Sequence, residues 1–421
     1  MFEFSKISDA CIKCGKCIPV CTIHQVNPDE VTSPRGFIEL LGDYEKGRLE
    51  LDKEAKNIFE SCFLCTNCVD VCPNSLATDM VIEEVRADIA KKYGIAWYKR
   101  AFFWLLRHRW AMDLASKLGY VFKSCAVKEE EKGRGLLPRF KLPMIKKDRL
   151  LPSMKSVSFL RKYPERIGKA EKKVAIFIGC LANYNYTEIG DGLVFILEKL
   201  GYEIFIPKKQ KCCAAPAYFT GDFATVEALA KENIEYFESF IDDVEAIIIP
   251  EATCSAMIKH DWEVFFRNRG MEEWAKRAKR LNEKIFLATE WLYHYTELPK
   301  LLEDKKIDIP ITYHDPCHAR KVQGVWREPR ELLKPYKIVE MEDPNRCCGF
   351  GGVTIQTEKF HLAEAAGKPK AAMIEKTGAK VVAAECSACR VQISNSLYQA
   401  GSEVVFKNPI ELIAESLKEE T

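Results

Sequence analysis

At 421 residues, 47% hydrophobic, with a formal net charge of +2, the chain can bury two or three cores and is nearly balanced in charge. Its start, Met1 to Lys6, lacks a basic stretch leading into an apolar run, so no secretory signal is expected, and its longest apolar stretches, Val174 to Cys180 and Val244 to Pro250, fall far short of the ~20 residues that span a bilayer. In a reducing compartment its 18 cysteines imply metal binding, not disulfides.

The first elements are two matched cysteine runs. Cys11, Cys14, Cys17 and Cys21 share their spacing with Cys62, Cys65, Cys68 and Cys72, the second run being followed by Pro73 and the first by Thr22. This is the bacterial ferredoxin spacing: three thiolates on a tight turn cap three irons of one [4Fe-4S] cubane, and the fourth completes the other. The expected sets are therefore Cys11, Cys14, Cys17 and Cys72 for one cubane, and Cys62, Cys65, Cys68 and Cys21 for the second. Zinc is the alternative for paired C-x2-C spacings, but two repeated runs of four suit iron-sulfur better.

A basic segment follows. From Trp97 to Lys173, 21 Lys and Arg stand against 7 Asp and Glu, with Pro138, Pro143, Pro152, Pro164, Gly133 and Gly135 marking a loop-rich connector. Within it, Trp97, Tyr98, Phe102, Phe103, Trp104, Leu105, Trp110 and Leu114 interleave with Lys99, Arg100, Arg107, His108 and Arg109. Aromatic and basic residues on one helix are the mark of a segment lying in the lipid headgroup region. Docking of a protein subunit and packing on the N-terminal domain are the competing readings. No nucleic-acid motif accompanies the charge, and nucleic acid is not expected.

Beyond the connector, strands alternate with helices, as in βαβ units with a mainly parallel sheet. The strand Val174 to Gly179 ends at Cys180, Tyr202 to Ile206 leads to Cys212 and Cys213, and Glu245 to Ile249 leads to Cys254. The arrangement recurs: Ile311 to His314 leads to Cys317, Tyr336 to Met341 to Cys347 and Cys348, and Ala379 to Ala384 to Cys386 and Cys389. The corresponding offsets are 137, 135 and 132 residues, the drift expected of a duplicated unit with altered loops. Both repeats put thiols just beyond strand C-termini, where open α/β sheets bind ligands. The second repeat supplies five thiols, more than one cubane or one zinc ion uses. The first supplies four, with Met257 at the place of the fifth and Ala214 where the second repeat has Gly349, which leaves a cluster, zinc or an empty remnant open.

Taken with Tyr313-His-Asp-Pro-Cys-His and Glu385-Cys-Ser-Ala-Cys, these residues resemble the cysteine-rich CCG domain family, in tandem behind a two-cluster ferredoxin-like domain, as in the iron-sulfur subunits of anaerobic glycerol-3-phosphate dehydrogenase, glycolate oxidase and heterodisulfide reductase. The resemblance implies an α+β multidomain chain: a helical two-[4Fe-4S] domain over 1–95, a basic aromatic helix and connector over 96–173, and two α/β cysteine-rich domains over 174–300 and 301–421. It implies a third, noncubane [4Fe-4S] cluster on Cys317, Cys347, Cys348, Cys386 and Cys389. For Cys180, Cys212, Cys213 and Cys254 the carry-over stops at Met257, which leaves a further cluster, zinc or no metal as the alternatives.

No G-x-G-x-x-G follows a strand, so a flavin or nicotinamide site is not expected on this chain. Several clusters without an organic redox group make a wire between a flavoprotein dehydrogenase partner and an acceptor, here quinone at the inner face of the cell membrane, with the chain cytoplasmic and peripheral. A heterodisulfide-reductase-like catalyst that cleaves a disulfide at the five-thiol site is the enzyme alternative, and a zinc-bearing scaffold a third. His314 and His318 flank Cys317 and could donate to cluster sulfur, His108 could protonate a quinone, and Cys125 falls outside both repeats.

Overall fold

The computed structural model describes residues 2–141 and 145–418; Pro143, read above as loop punctuation, lies outside them. The N-terminal unit is helical, with α1 (Pro34–Glu45) and α2 (Thr78–Tyr93) its longest members. Pro at the first turn and the Ser33 hydroxyl, which accepts from Gly36 N, start α1. Phe37, Phe59, Ile82 and Val85 close its core, which continues onto Cys317, Cys347, Ile355 and Phe360 of the distant second repeat. The N-terminal unit is thus packed against the cysteine-rich region and shares a core with it.

The expected single aromatic-basic helix is two, α3 (Trp97–Arg107) and α4 (Arg109–Ala126), broken at His108 with φ −112° and ψ 81°. Phe103 and Leu106 enter the core beneath the first sheet, and Lys99 is buried, donating to Thr354 Oγ1 at 3.0 Å and pairing with Glu358 at 2.6 Å. Those three residues therefore pack inward, because the apolar period that serves a lipid face serves a core equally well. α4 buries only Ala111. A short hairpin, β1 (Val127–Glu129) and β2 (Leu136–Pro138), follows.

The first sheet comprises β3 (Arg166–Ile167), β4 (Lys173–Ile176), β5 (Glu203–Phe205), β6 (Ala246–Ile249) and β7 (Ile285–Leu287), in the order β3-β5-β4-β6-β7, parallel except for the edge strand β3. The second comprises β8 (Ile307–Tyr313), β9 (Tyr336–Ile338), β10 (Val381–Ala383) and β11 (Val405–Lys407), all parallel, in the order β11-β10-β8-β9. Pairing β4 with β8, β5 with β9, β6 with β10 and β7 with β11 makes the two orders identical apart from the added edge strand β3, so the cysteine register reflects a repeated topology. Both faces of each sheet are covered, as parallel strands require: Val174 and Ile176 face the core shared by the repeats, Ala175 and Phe177 the opposite one.

Each repeat ends by packing its last helix on the other repeat. α5 (Ala288–Tyr295), after β7, lies against Glu328–Leu332 of the second repeat, and α6 (Pro409–Lys418), after β11, lies along Thr187–Lys199 of the first. Two buried carboxylates also cross between repeats: Glu251 accepts from Ser387 N at 2.7 Å and from the Ser387 hydroxyl, and Glu385 from Thr289 N at 3.1 Å and from the Thr289 hydroxyl.

Where α2 meets the π-helical turn Met257–Asp261, the carboxyls of Asp79, Glu83 and Asp261 line one cleft with Tyr218. Burial, with the Asp79 charge adding, pushes Asp261 up to about 8, and burial raises Glu83. A carboxyl whose folded pKa lies above its unfolded one stabilises the fold fully below the unfolded value and loses that contribution as pH rises through the folded value. Stability should therefore fall by roughly 1–3 kcal/mol between about pH 4 and pH 8, water in the cleft screening part of the effect. Asp261→Asn should flatten this slope in denaturant titrations across that window, and an unchanged slope would count against the cleft as its source.

Candidate metal centres

In the two N-terminal runs the residues at matched positions take left-handed backbone: Lys13 (φ +54°) and Gly15 (φ +78°) in the first, Leu64 (φ +51°) and Thr66 (φ +56°) in the second. Three of these four carry a side chain, so the turns hold strain typical of a ligand-binding loop. One cavity is lined by Cys11, Cys14, Cys17 and Cys72, with Cys68 also reaching its wall. Another is lined by Cys62, Cys65, Cys68 and Cys21, with Phe37, Phe63 and Leu64. Each fourth cysteine thus sits across from the other run, the juxtaposition that swapped ligation needs.

A third cavity gathers Cys317, Cys347, Cys348, Cys386 and Cys389 from the ends of β8, β9 and β10, together with Phe219, Phe350, Thr253 and His318. Cys348 Sγ lies 3.4 Å from Cys389 Sγ, and the Gly349 amide donates to Cys347 Sγ at 3.4 Å. Gly349 has φ +87°, and a Cβ there would sit 2.8 Å from that of Ala366, so glycine is needed for both turn and packing. The Nδ1 of His314 faces the Pro344 carbonyl at 3.2 Å, and its ring lies with the Cys348 and Cys389 thiols within ligand distance of one point. His318 stacks on Phe219 and lines the cavity. Sequence reasoning did not place Cys65, Phe63 and Leu64 on this same cavity, because no spacing rule links residues some 250 positions apart.

The first repeat also assembles its free thiols: Cys180 hydrogen-bonds with Cys212, Cys212 with Cys213, and Cys213 Sγ lies 3.3 Å from Cys254 Sγ. Met257 is fully buried beside them. Ala214 keeps the left-handed turn of its counterpart Gly349, at φ +80° and ψ −2°, at the steric cost of its Cβ. Ala214→Gly should stabilise the protein by roughly 1 kcal/mol, read as a rise in melting temperature; a fall would mean that the Ala214 methyl is needed for packing. Cys125 stands exposed on α4 and lines none of the three thiol cavities described above. His108 has its Nδ1 2.8 Å from Trp104 O and stacks on the Trp104 ring.

These donor sets suit an iron-sulfur group. Burial pushes Cys62 up to about 12 and Cys68 well above the usual thiol range, so neither ionises readily without a metal's positive charge. Where one thiolate is favoured, its cause is visible: the Cys347 hydrogen bond, then the Lys321 ammonium, hold Cys65 down to about 5, while Cys347 is raised. Donor sets dominated by thiols, in largely apolar cavities, match iron-sulfur ligation.

Comparison with known proteins gives the same division of the chain. Residues 7–76 match the 4Fe-4S dicluster domain, and residues 174–259 and 311–394 each match the cysteine-rich (CCG) domain. An uncharacterized iron-sulfur protein of Methanococcus maripaludis is 31% identical over 92% of this chain and 67% of its own length. The chain belongs to the CCG-domain iron-sulfur oxidoreductase subunit family. Within the family, a probable glycolate oxidase iron-sulfur subunit of Bacillus subtilis is 28% identical over 93% of this chain and 89% of its own. A fumarate reductase (CoM/CoB) subunit of Methanothermobacter marburgensis is 28% identical over 98% and 73%. A crystal structure of a hypothetical protein from Helicobacter pylori superposes with a TM-score of 0.56 at 12% identity, covering 99% of this chain and 75% of the other, a likeness of fold alone. The chain is an iron-sulfur oxidoreductase subunit.

Proposed function

We propose that the chain relays electrons from a flavoprotein dehydrogenase partner, of glycerol-3-phosphate, glycolate or lactate type, to quinone at the inner face of the cell membrane. The observation that carries this reading is a row of adjoining thiol cavities. The two N-terminal cavities share Cys68 and Thr78, and the second of them shares Phe63, Leu64 and Cys65 with the cavity of the second repeat. Cys11, Cys14, Cys17 and Cys72 would hold one [4Fe-4S] group, Cys62, Cys65, Cys68 and Cys21 a second, and Cys317, Cys347, Cys348, Cys386 and Cys389 a third, noncubane one. When bound, these groups supply one-electron redox capacity. The protein's own work is to hold the thiols within contact of one another and to keep water out with Phe37, Phe63, Leu64 and Phe350.

Membrane attachment is supported by α4. Trp110, Leu114, Leu118, Val121 and Phe122 recur at helical spacing on one face and are 48–66% exposed. Trp104 adds to this stripe, its ring edge-on to Trp110, and Arg100 and Lys117 are exposed nearby. No helix among the described residues is long and apolar enough to cross a membrane, so contact would be interfacial. Trp110→Glu with Leu118→Glu should reduce co-sedimentation with anionic vesicles by about tenfold or more. Protein that stays in the supernatant with vesicles and fails to reduce a quinone analogue beside its reduced partner would end the quinone reading.

The five-thiol cavity, walled by Phe219, Phe350 and Thr253, also supports a second reading, a heterodisulfide-reductase-like site that reduces a disulfide itself. Turnover of a small disulfide by the reduced chain alone, lost in Cys386→Ser, would favour it.

A further inference from the structure

Lys321 joins the N-terminal runs to the second repeat. Lys321 follows Cys317 by one helical turn on the short helix Cys317–Gln323, which sets it on the Cys317 face. Its Nζ donates to Cys65 O at 3.4 Å, to Asn345 O at 3.3 Å and to the Asn67 side-chain oxygen. Asn67 lies between Cys65 and Cys68 in sequence and its amide donates to Val20 O at 2.9 Å, next to Cys21; Asn345 lies two residues before Cys347. One ammonium therefore ties together the loops that carry thiols of both sets, at the place where Cys65 and Cys347 touch. Its three oxygen acceptors match the three N–H donors of a charged ammonium.

We infer that Lys321 is the positioning and electrostatic residue of the junction between the Cys62–Cys65–Cys68–Cys21 set and the five-thiol set, raising the reduction potential on both sides and fixing the Cys65–Cys347 contact as the crossing point. The step is electron transfer only: one electron leaves the Cys65 side, one arrives at the Cys347 side, and no bond or proton moves. A fixed cation in a water-poor site favours the more negative, reduced state on either side. Arg86 near Cys62 and Lys370 near Cys348 are further cations, but the thiols acting on them belong in each case to one set. The inference rests on the relay proposed above.

The experiment is an EPR-monitored redox titration of the iron-loaded full chain. Lys321→Gln should lower the reduction equilibrium constant at both centres by about tenfold or more, a shift of about 59 mV for one electron, whereas Lys321→Arg should stay near the parent. Asn67→Asp keeps the lysine and cancels its field, so it should shift both potentials in the same direction; it decides the matter if Lys321→Gln fails to load iron. Fully loaded variants with unchanged potentials, or with only one centre shifted, would overturn the inference and leave the relay standing. A parent chain that takes up no iron would instead remove the relay itself.

Discussion

Cys348→Ala is expected to remove the iron-sulfur group of the second repeat while sparing those of the N-terminal runs. Cys348 is buried, 3.4 Å from Cys389 Sγ and beside the His314 ring, so its loss opens the middle of the five-thiol set, and Cys65, the other thiol on that cavity, is already engaged with the N-terminal set. The eight N-terminal thiols lie in cavities that Cys348 does not line. Iron and sulfide should fall by one centre's share, and the EPR signal of the N-terminal centres should persist. In the proposed relay, electron transfer to quinone should then drop by more than ~100-fold, since altering groups behind metal ligands already costs 10–100-fold. Cys125→Ser, exposed on α4, is the matched control and should change neither content nor rate. Full iron content in Cys348→Ala would remove Cys348 from the ligand set.

Legibility followed the range of the signal. The thiol runs are local, and the duplicated offsets could be read because the strand-thiol distance survives duplication; the matching strand orders around β4 and β8 agree with that register. β7 and β11 were not read because each is only three residues long, Ile285–Leu287 and Val405–Lys407, too short for a strand pattern to show. Phe103 and Leu106 on α3 were indistinguishable from a lipid-facing stripe until the core beneath the first sheet was seen to receive them. The contact of Cys65 with Cys347 and the reach of Lys321 were invisible for a different reason. Both depend on how the N-terminal unit docks, and docking is set by buried polar groups that carry no spacing pattern.

Arg86 is one of those groups, and Arg86→Met is expected to loosen the N-terminal unit from the repeats. The guanidinium is buried, donating to Phe219 O at 2.8 Å across the interface, and to Cys62 O at 2.7 Å and Phe59 O at 3.2 Å on its own side. The first repeat also closes on the backbone at this point: at Gly221 a Cβ would sit 2.3 Å from the Arg86 main-chain carbonyl oxygen, so no side chain can stand there. Methionine fills much of the volume but leaves three inward carbonyls without donors, at about 1–3 kcal/mol for each that water cannot reach. The expected loss is therefore about 3 kcal/mol or more, read as a lower melting temperature and faster proteolysis near residue 95. Arg86→Lys, which keeps the charge and part of the hydrogen bonding, should fall between. Because Cys62 O is one of the three acceptors, the same change should displace the Cys62–Cys68 turn and weaken magnetic coupling between the N-terminal centres and the second repeat. A melting temperature and coupling equal to the parent's would mean that apolar packing of Phe63, Ile355 and Phe360 is enough to hold the two parts in register.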